Sequence, residues 1–567
     1  MSKVTFKEQP LYALELFPAN IFEKIPENHP VRLIEKVVDE LDISPIIKQY
    51  KGGGTSAYHP RMMIKVLFYA YFNNIFSCRK IEKALQENIF FMYLSGYSIP
   101  DYRTINYFRS KVLKDKLKEV FKQITLLLEE LGHISLDVQY VDGTKVEANA
   151  NKYRFAWRKS VEKNKKKLEE KIESILSDIE QSIKIENEEI GKEELPTPID
   201  VDILKVKIKA INQKLKESHQ RDKSATGQDR KGIEKQVKEL EKKCLPKLAE
   251  YEAQLEALGE RNSMSKTDKD ATFMRMKHNG LGDGESKAGY NVQISTENQY
   301  ITHVSIHQTP GDTTTLKKHL EGFEQLYQKQ SKEIVADAAY GSQENYEYLS
   351  QKNIEGYVKY NTYDKEQSQK ETDNPFAIEQ LKYDKEGDFY VCPHGDKLTK
   401  IKEGIRSTNT GYKVELSYYQ ASQCEGCPLR ALCHQQEGNR VIEVNHKVKA
   451  LREKARGLLQ SEKGKAHLRK RSVEVESVFG QIKFNNGFNR FRLRGLIKVE
   501  LEFLLVAIAH NLRKLSVQMG KTPDIWKKRK GKHGFVLCLF IFFSIIEKIY
   551  SNRLKNTKNI KNTKMAF

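Results

Sequence analysis

The step between apolar residues changes near residue 288, and this change limits the available folds more than any other feature. Up to about residue 260, apolar residues recur every three or four positions among lysines and glutamates, which predicts coiled-coil helices. From residue 288 they alternate, over 289–295 and again over 300–306, with a turn at Glu297-Asn298. Alternation predicts half-buried strands, so these residues should form a β-hairpin. The fold must therefore accommodate both a helical region and a sheet.

Further strands and helices are predicted on both sides of the hairpin. Residues 134–144 are rich in β-branched and aromatic residues, and this strand is expected to end near Asp142. After the hairpin, helices are predicted over 314–328 and 344–351, and strands over 333–341 and 356–360. Strand, hairpin, helix, strand, helix and strand is the order of an RNase H-like fold. We therefore predict an α/β protein with an RNase H-like mixed sheet as its core.

The chain of 567 residues is too long for one core. We assign residues 1–130 to an all-helical N-terminal domain, and residues 131–361 and 446–516 to the discontinuous RNase H-like core. Residues 152–262 are a coiled-coil insertion, 362–445 a Cys-containing insertion and 517–567 a basic C-terminal tail. Within the coiled coil, Pro246 is expected to kink the last helix, and residues 217–231 to form a loop.

Basic residues outnumber acidic ones, 97 against 76, for a net charge of +21. This excess favours a polyanionic partner, either nucleic acid or an anionic membrane. The apolar run at 535–546 would make a helix of only about 18 Å against a bilayer core of about 30 Å, so no membrane span is expected. The N-terminus lacks the pattern of a signal peptide and the cysteine count is odd, which together indicate a cytoplasmic protein without a disulfide framework.

Three acidic residues are candidates for a shared metal site. Asp142 and Asp337 each follow an apolar strand, and the carboxyl ends of neighbouring strands meet at one edge of a sheet. Glu476 lies on a predicted helix, on one face with Lys483, and Glu474 is the alternative about 200° around that helix. Carboxylates bind Mg²⁺ or Mn²⁺, and two such ions about 3.5 to 4 Å apart support phosphodiester cleavage. We expect Asp142, Asp337 and Glu476 to hold two of these ions, and Lys483 to contact a DNA backbone.

Three stretches resemble DDE transposases of bacterial insertion sequences, in the group typified by insertion sequence four and most closely its "eleven-eighty-two" branch. They are Tyr-Val-Asp-Gly-Thr at 140–144, Val-Ala-Asp-Ala-Ala-Tyr-Gly at 335–341, and Val-Glu-Ser-Val-Phe-Gly-Gln-Ile-Lys at 475–483 followed by Phe-Arg-Leu-Arg-Gly at 491–495. The resemblance covers about residues 5–516. It implies metal-dependent cleavage at the ends of an insertion sequence and transfer of the freed 3′-OH into target DNA, with the three acids as ligands. It also implies double-stranded DNA as partner, a homodimer in the synaptic complex, and a place at the bacterial nucleoid.

The third motif departs from the Tyr, Arg, Glu, Lys signature of that group. The arginine expected four residues before Glu476 is Ser472, and no tyrosine stands at the usual place. Arg469 and Arg471 are the candidate substitutes, and on α-helical geometry Arg469 shares the face of Glu476 better. Two other functions stay open: a catalytically silent, transposase-derived DNA-binding protein, and a plain RNase H-like nuclease.

Two further groups of basic residues are candidate DNA contacts. Arg103 and Arg109 follow Asp101, a predicted helix N-cap, as in a helix-turn-helix, although a helical bundle with exposed cations fits as well. Arg490, Arg492 and Arg494 alternate with Phe488 and Phe491, which suits a DNA backbone track, with a solvated loop as the alternative.

The cysteines of the second insertion are candidate zinc ligands. Cys392 precedes a Cys-x2-Cys pair, Cys424 and Cys427, with Cys433 six residues further on. Four thiolates can close a tetrahedral structural zinc site, with His394 as a substitute ligand and reduced thiols as the alternative. The other cysteines lie in apolar settings and are expected to be packing residues: Cys78, Cys244 and Cys538.

Overall fold

The computed structural model describes residues 21–50, 57–186, 200–221, 227–276, 284–367, 374–408 and 410–521. The predicted basic tail beyond residue 521 lies outside them, and so do Cys538 and the apolar run at 535–546. None of the helices within these ranges has both the length and the apolar character needed to cross a membrane.

The N-terminal region is all-helical within its described residues. Histidine-proline pairs start two helices, because His29 and His59 accept a backbone N–H and the proline after each occupies the first helical turn. Asp101 is an N-cap as predicted, and accepts from the backbone N–H of Thr104 at 2.8 Å. The helices are α1 (Pro30–Glu40), α2 (Ser44–Ile47), α3 (Pro60–Phe72), α4 (Cys78–Glu87), α5 (Ile89–Ser95), α6 (Tyr102–Tyr107) and α7 (Leu117–Glu130).

The helical insertion separates the first strand of the central sheet, β1 (Val138–Glu147), from the later strands along the chain. The insertion begins and ends in a two-stranded sheet of β2 (Phe155–Trp157) and β3 (Ser263–Ser265), which pair antiparallel. Apolar residues of its helices form one separate core, as the step of three and four predicts. The helices are α8 (Arg158–Glu186), α9 (Val201–Arg221), α10 (Gly227–Glu239) and α11 (Leu245–Leu258).

One detail of the insertion differs from expectation. The predicted loop at 217–231 is wrong at both ends, because α9 continues to Arg221 and α10 starts at Gly227. Pro246 lies in the first turn of α11, and the chain before it is already helical, since Cys244 has φ −74° and ψ −49°. The helix is irregular just before it, in a π-helical turn over Leu240–Cys244.

The sheet resumes after the insertion with the predicted hairpin. The turn lies one residue later than predicted, because Glu297 still pairs with Tyr300. Its two central residues, Asn298 and Gln299, have positive φ of 50° and 61°, as a tight type I′ turn requires. Strand order across the sheet is β4-β5-β1-β7-β8, with β6 paired to the other part of β5. The remaining elements are β4 (Thr272–Arg275), β5 (Ser286–Glu297), β6 (Tyr300–His307), α12 (Leu316–Tyr327), β7 (Glu333–Ala336), α13 (Gln343–Gln351) and β8 (Glu355–Val358). The sheet is mixed: β1 runs parallel to β7 and antiparallel to β5.

The Cys-containing insertion is a second, antiparallel sheet with its own apolar core. It follows α14 (Tyr363–Gln367) and is built from β9 (Lys382–Asp384), β10 (Phe389–Val391), β11 (Lys397–Ser407), β12 (Lys413–Ala421), the short α15 (Arg430–Cys433) and β13 (Val441–Val444).

The last described segment returns to the central sheet as helix. It comprises α16 (His446–Gln460), α17 (Glu462–Arg471), α18 (Ser477–Gly480) and α19 (Leu496–Lys521). Two π-helical turns flank α18, over Ser472–Glu476 and Gln481–Asn485. The apolar helix α19 is buried between the sheet strand β6 and the N-terminal helices α1, α3 and α7. The N-terminal helices and one face of the sheet therefore share a single core.

Candidate active site

Asp142 and Asp337 lie side by side on neighbouring parallel strands. The last residues paired between β1 and β7 are Tyr140 and Val335, and each aspartate comes two residues later in its own strand direction. The sequence analysis predicted that the strand ends near Asp142. That prediction is wrong, because β1 continues to Glu147 and Asp142 lies in the middle of the strand. It lies instead where β7 stops pairing with β1. Asp337 directly follows the last residue of β7, as predicted.

The two aspartates differ in exposure. Asp142 is buried, and its Oδ1 accepts from the backbone N–H of Gly143 at 2.8 Å. Asp337 is half-buried and caps the 3-10 turn Ala338–Tyr340, where its Oδ1 accepts from the backbone N–H of Ala339 at 2.9 Å. The cap holds the Asp337 carboxyl at the strand end.

The buried side chain of Tyr340 lies close to the two aspartates, and its pKa is affected by their charges. The Tyr340 hydroxyl donates to Oε1 of Gln293 at 2.5 Å. Burial raises the pKa of Tyr340 well above its ordinary value, and the negative charges of Asp142, Asp312 and Asp337 raise it further. Three carboxylates are therefore close to one phenol, of which sequence reasoning named two.

Asp312 is the carboxylate that the sequence interpretation missed. Its Oδ1 accepts from Nδ2 of Asn291 at 2.6 Å and from Nε2 of Gln293 at 3.0 Å, and its Oδ2 lies 3.1 Å from Nζ of Lys145. In the sequence it is one aspartate just before a helix, a position that usually indicates a cap. Its partners Asn291 and Gln293 stand at the alternate positions of the hairpin strand, where polar residues are expected to face solvent, so the sequence gives no distinct signal for this cluster.

The segment that carries Glu476 crosses β1 beside Asp142. Before the acid, Lys470 lies over the ring of Tyr140, with Nζ 5.5 Å from its centre. After it, Nζ of Lys483 donates to Oγ1 of Thr144 at 2.6 Å. Tyr140, Asp142 and Thr144 share one face of the strand, because side chains alternate. Glu476 thus lies on the stretch between two contacts that bracket Asp142.

The Glu476 side chain points away from a ligand arrangement. It is 57% exposed, and its Oε1 accepts from Nη2 of Arg471 at 3.2 Å. The π-helical turn over Ser472–Glu476 bonds residues five apart and so brings residue 471 next to 476. The α-helical argument for Arg469 as the partner of Glu476 is therefore wrong in this segment, where Arg471 makes the contact.

Glu474, the alternative third acid, is occupied elsewhere. Its side chain is 3% exposed, and Oε2 accepts from the backbone N–H of Gln299 at 2.6 Å. Oε1 lies 3.3 Å from Nζ of Lys470. Glu474 anchors the hairpin turn between β5 and β6, which leaves Glu476 as the acid on this helix that has access to solvent.

No metal-binding group is assembled as the side chains stand. Among the residues with described positions, no three His, Cys, Asp or Glu side chains are grouped so that they could hold a metal ion. Asp142 and Asp337 lie on adjacent strands, and Glu476 is turned to Arg471. The donor types suit Mg²⁺ or Mn²⁺, but a third ligand has to reorient.

The arginines predicted to contact DNA fall into buried and exposed sets. Arg109 is 4% exposed and donates to the Tyr71 hydroxyl and to the backbone carbonyl of Phe76, so it is a core residue and its assignment to DNA is wrong. Arg103 is exposed and lies beside the Tyr102 ring. Arg469 is exposed as well.

The stretch from 488 to 494 separates its aromatic and basic residues. Phe488 and Phe491 are buried and pack on each other and on Phe503, so they are unavailable for stacking on bases. The three arginines are exposed, as a backbone track requires: Arg490, Arg492 and Arg494. Two of them are partly engaged, since Arg490 donates to Ala148 O and Arg494 to Asn149 O.

The four candidate zinc ligands line one cavity in the second insertion. Cys392 opens a turn that Gly395 closes with a positive φ of 95°, and Cys424 and Cys427 flank Gly426, with φ of 75°. Two N–H groups of Arg440 donate to sulfur, the backbone N–H to Cys424 at 3.3 Å and Nη1 to Cys433 at 3.1 Å. His394 lines the same cavity. Cys78 and Cys244 are buried packing residues, as predicted.

Two regions of the chain match known protein families. Residues 19–111 match a family described as Transposase domain (DUF772), and residues 391–516 match one described as Transposase DDE domain. The first region contains α1 to α6, and the second runs from the Cys-containing insertion through α19 and includes Glu476. No curated protein and no solved structure matches the chain. The two family matches, together with a helical N-terminal region and a mixed α/β sheet, support a DDE transposase family for this chain.

Proposed function

We propose that the protein is a DNA transposase that cleaves the ends of an insertion sequence and joins the freed 3′-OH to target DNA. The observation that carries the proposal is the position of Asp142 and Asp337, each two residues beyond the last pair of the adjacent parallel strands β1 and β7, beneath the helical segment with Glu476. The strand order supports an RNase H-like core, because in chain order the hairpin and its neighbours run third, second, first, fourth and fifth across the sheet. The proposed assignment to the insertion-sequence-four group rests on the three motifs.

Asp142, Asp337 and Glu476 are the proposed ligands of two Mg²⁺ or Mn²⁺ ions. Such ions would activate an oxygen nucleophile and stabilise the leaving oxygen of the phosphodiester. Asp142 lies within β1, and Asp337 lies directly after the adjacent strand β7. Glu476 has to leave Arg471, and its side chain is already 57% exposed to solvent, which weakens the pair by screening.

Arg471 becomes available for DNA when Glu476 turns away. Its side chain is 18% exposed, and Nη1 is enclosed with no hydrogen-bond partner among the described residues. An enclosed donor next to the acid suits a phosphate oxygen. We therefore propose Arg471 as the substitute for the missing signature arginine. The proposed backbone contacts are the residues Lys483, Arg469, Arg490, Arg492, Arg494 and Arg103.

The test of the proposed function is cleavage of a duplex carrying the inverted repeats that flank the gene, with Mg²⁺ or Mn²⁺. Asp142→Asn, Asp337→Asn and Glu476→Gln should each lower the cleavage rate by more than about 100-fold, beyond the usual effect of an outer-shell change, while DNA binding persists. Asp137→Asn is the matched control, since this half-buried residue precedes β1 at its other end and pairs with Lys332.

The outcomes separate the three candidate functions. Binding of the repeats without cleavage by the wild-type protein would indicate a silent DNA-binding protein. Cleavage of any duplex without joining of the 3′-OH would indicate a nuclease. Wild-type rates in the Asp142→Asn and Asp337→Asn variants would remove the proposed mechanism. A synapsed complex with two protomers and two ends is expected for the transposase.

We further propose that Cys392, Cys424, Cys427 and Cys433 bind a structural zinc ion, for which their side chains have to move together from their present positions around the cavity of the second insertion. The N–H groups of Arg440 directed at two sulfurs favour thiolates there, because hydrogen bonds to a charged acceptor are the stronger ones. Metal analysis of the purified chain should find one zinc per chain, and Cys424→Ser should lose it together with thermal stability of this sheet. Four reactive thiols and no zinc in the wild-type protein would leave these residues as reduced cysteines.

A further inference from the structure

The opposite face of β1 from Asp142 carries a buried polar cluster, formed by Lys145, Asn291, Gln293, Asp312 and Tyr340. Gly143 and Lys145 point to this face, since they alternate with Asp142 along the strand. Gly143 pairs with Gln293 and Lys145 with Asn291 on the neighbouring strand β5. The cluster therefore lies directly behind the strand residues that present Asp142.

Asp312 is the centre of this cluster. Its side chain is 15% exposed and that of Lys145 13%, so their pair is largely shielded from water. Both carboxyl oxygens already accept hydrogen bonds or an ion pair, from Asn291, Gln293 and Lys145. A carboxylate with both oxygens engaged by donors is poorly placed to bind a metal ion itself. Its position suits a role in holding other residues.

The cluster also reaches the turn that carries Asp337. Gln293 donates to Asp312 with its Nε2 and accepts from the Tyr340 hydroxyl with its Oε1. Tyr340 ends the 3-10 turn that Asp337 caps. The next residue of the loop, Thr313, donates its hydroxyl to Ala339 O at 2.7 Å. Asp312 and its neighbour are thus tied both to β1 and to the Asp337 turn.

A glycine next to Asp142 makes room for the cluster. A Cβ at position 143 would lie 2.1 Å from Nε2 of Gln293 and 2.9 Å from Oδ1 of Asp312, which is closer than real carbon contacts allow. Only glycine permits the amide and carboxylate to pack against the strand at this point. The Asp-Gly order at 142–143 thus joins a front-face acid to a back-face cluster.

We propose that Asp312 is a positioning residue, which sets the separation of Asp142 and Asp337 by holding Lys145 on β1 and, through Gln293, Tyr340 beside the Asp337 turn. The assignment rests on the proposed function, because the two aspartates are its metal ligands. Loss of the Asp312 charge leaves Lys145 buried without its ion-pair partner and frees the Gln293 amide. The ligands then lose their spacing, and the affinity for metal falls while the ligands themselves remain.

The test compares the full-length wild type with Asp312→Asn, Lys145→Gln and the double variant, using Mn²⁺ as the probe. Mn²⁺ binding without DNA, measured by electron paramagnetic resonance, should weaken about 10- to 100-fold in Asp312→Asn, as expected for an outer-shell residue. In cleavage assays the half-saturating Mn²⁺ concentration should rise by a similar factor, and the rate at saturating Mn²⁺ should recover. Asp137→Asn serves again as the control.

The double variant separates positioning from folding. Because Asp312 acts on β1 through Lys145, the double variant should bind Mn²⁺ no more weakly than the worse single variant. It also removes the unpaired buried charge, so it should fold if Asp312→Asn alone does not. Failure of both variants to fold, by circular dichroism, would mean a structural residue only and would overturn the proposal.

Two further results would overturn the assignment. Wild-type Mn²⁺ affinity in Asp312→Asn would show that the cluster does not position the ligands. A folded Asp312→Asn with no cleavage at any Mn²⁺ concentration, like Asp142→Asn, would make Asp312 a ligand instead. If the wild type binds Mn²⁺ no better than Asp142→Asn and does not cleave, the proposed function itself has failed.

Discussion

Arg109, Glu474 and Glu476 show that the role of a charged residue in this protein depends on the groups that it contacts. Arg109 has the charge and the position of a DNA contact in a helix-turn-helix, yet it bonds Tyr71 and Phe76 in the core. Glu474 and Glu476 are two residues apart, and one anchors a hairpin while the other faces solvent. The chemical role of each follows from which groups surround it in the fold.

His303 is a buried histidine whose pKa is shifted by its surroundings. His303 has no hydrogen-bond partner on either ring nitrogen among the described residues, and it packs against His319 and Phe323. Burial lowers the pKa of His303 from 6.5 to about 3, with smaller effects from Lys118 and His307. The neutral ring is therefore favoured in the folded protein.

The sign of the pH effect follows from that direction. Between about pH 6.5 and 3 the unfolded chain binds a proton at this position that the folded chain does not, so stability is full above pH 6.5 and falls as the pH drops. Each such histidine should lower the free energy of unfolding by up to about 1.4 kcal/mol per pH unit in this window. His303→Leu should make the free energy of unfolding less dependent on pH, by the equivalent of about one proton taken up on unfolding. The free energy is measured by urea unfolding at pH 7, 6 and 5. His59→Asn, at an exposed helix cap, is the control, and an unchanged slope in His303→Leu would contradict the prediction.

The helical segment that carries Glu476 departs from α-helical geometry. The helical stretch from α17 to Asn485 is interrupted by two π-helical turns, and such turns are frequent at functional sites. The first turn places Arg471 beside Glu476, whereas an unbroken α-helix would favour Arg469. The helix register, and not only the residue types, therefore selects the arginine.

A pair of variants tests this register. Under the proposed function, Arg471→Ala should lower the cleavage rate by about 10- to 100-fold at saturating Mn²⁺, because a phosphate oxygen loses its donor. Arg469→Ala should change it by less than about 3-fold, as expected for one exposed backbone contact. The comparison is read from initial rates on the same duplex. A larger loss in Arg469→Ala would restore the α-helical interpretation.

At the scale of the whole molecule, one helix organises the parts. α19 packs against the sheet and the N-terminal helices, so a region predicted as a separate N-terminal domain shares its core with the sheet. The coiled-coil insertion behaves differently, because its two ends pair side by side in β2 and β3 and its helices have their own core. The coiled-coil insertion contacts the central sheet where its end strand β3 meets β4.

The amino-acid sequence alone predicted the order of strands and helices, the hairpin and the place of Asp337 directly after its strand. These depend on the step between apolar residues and on the conformational preference of single residues, which act over a few positions and are visible in the chain. The resemblance to DDE transposases added the third acid, for which one glutamate in a charged helix would have been too weak a signal.

Which polar side chains contact each other became visible in the three-dimensional fold. Asp312 joins Lys145, Asn291 and Gln293 from segments up to 167 residues away, and Arg109 is buried by helices that precede it. Phe488 and Phe491 face a core that includes the distant Phe76. Such contacts depend on long-range packing and on burial of charge, which no local pattern encodes, because the free energy of each polar group is set by the neighbours that the complete fold supplies.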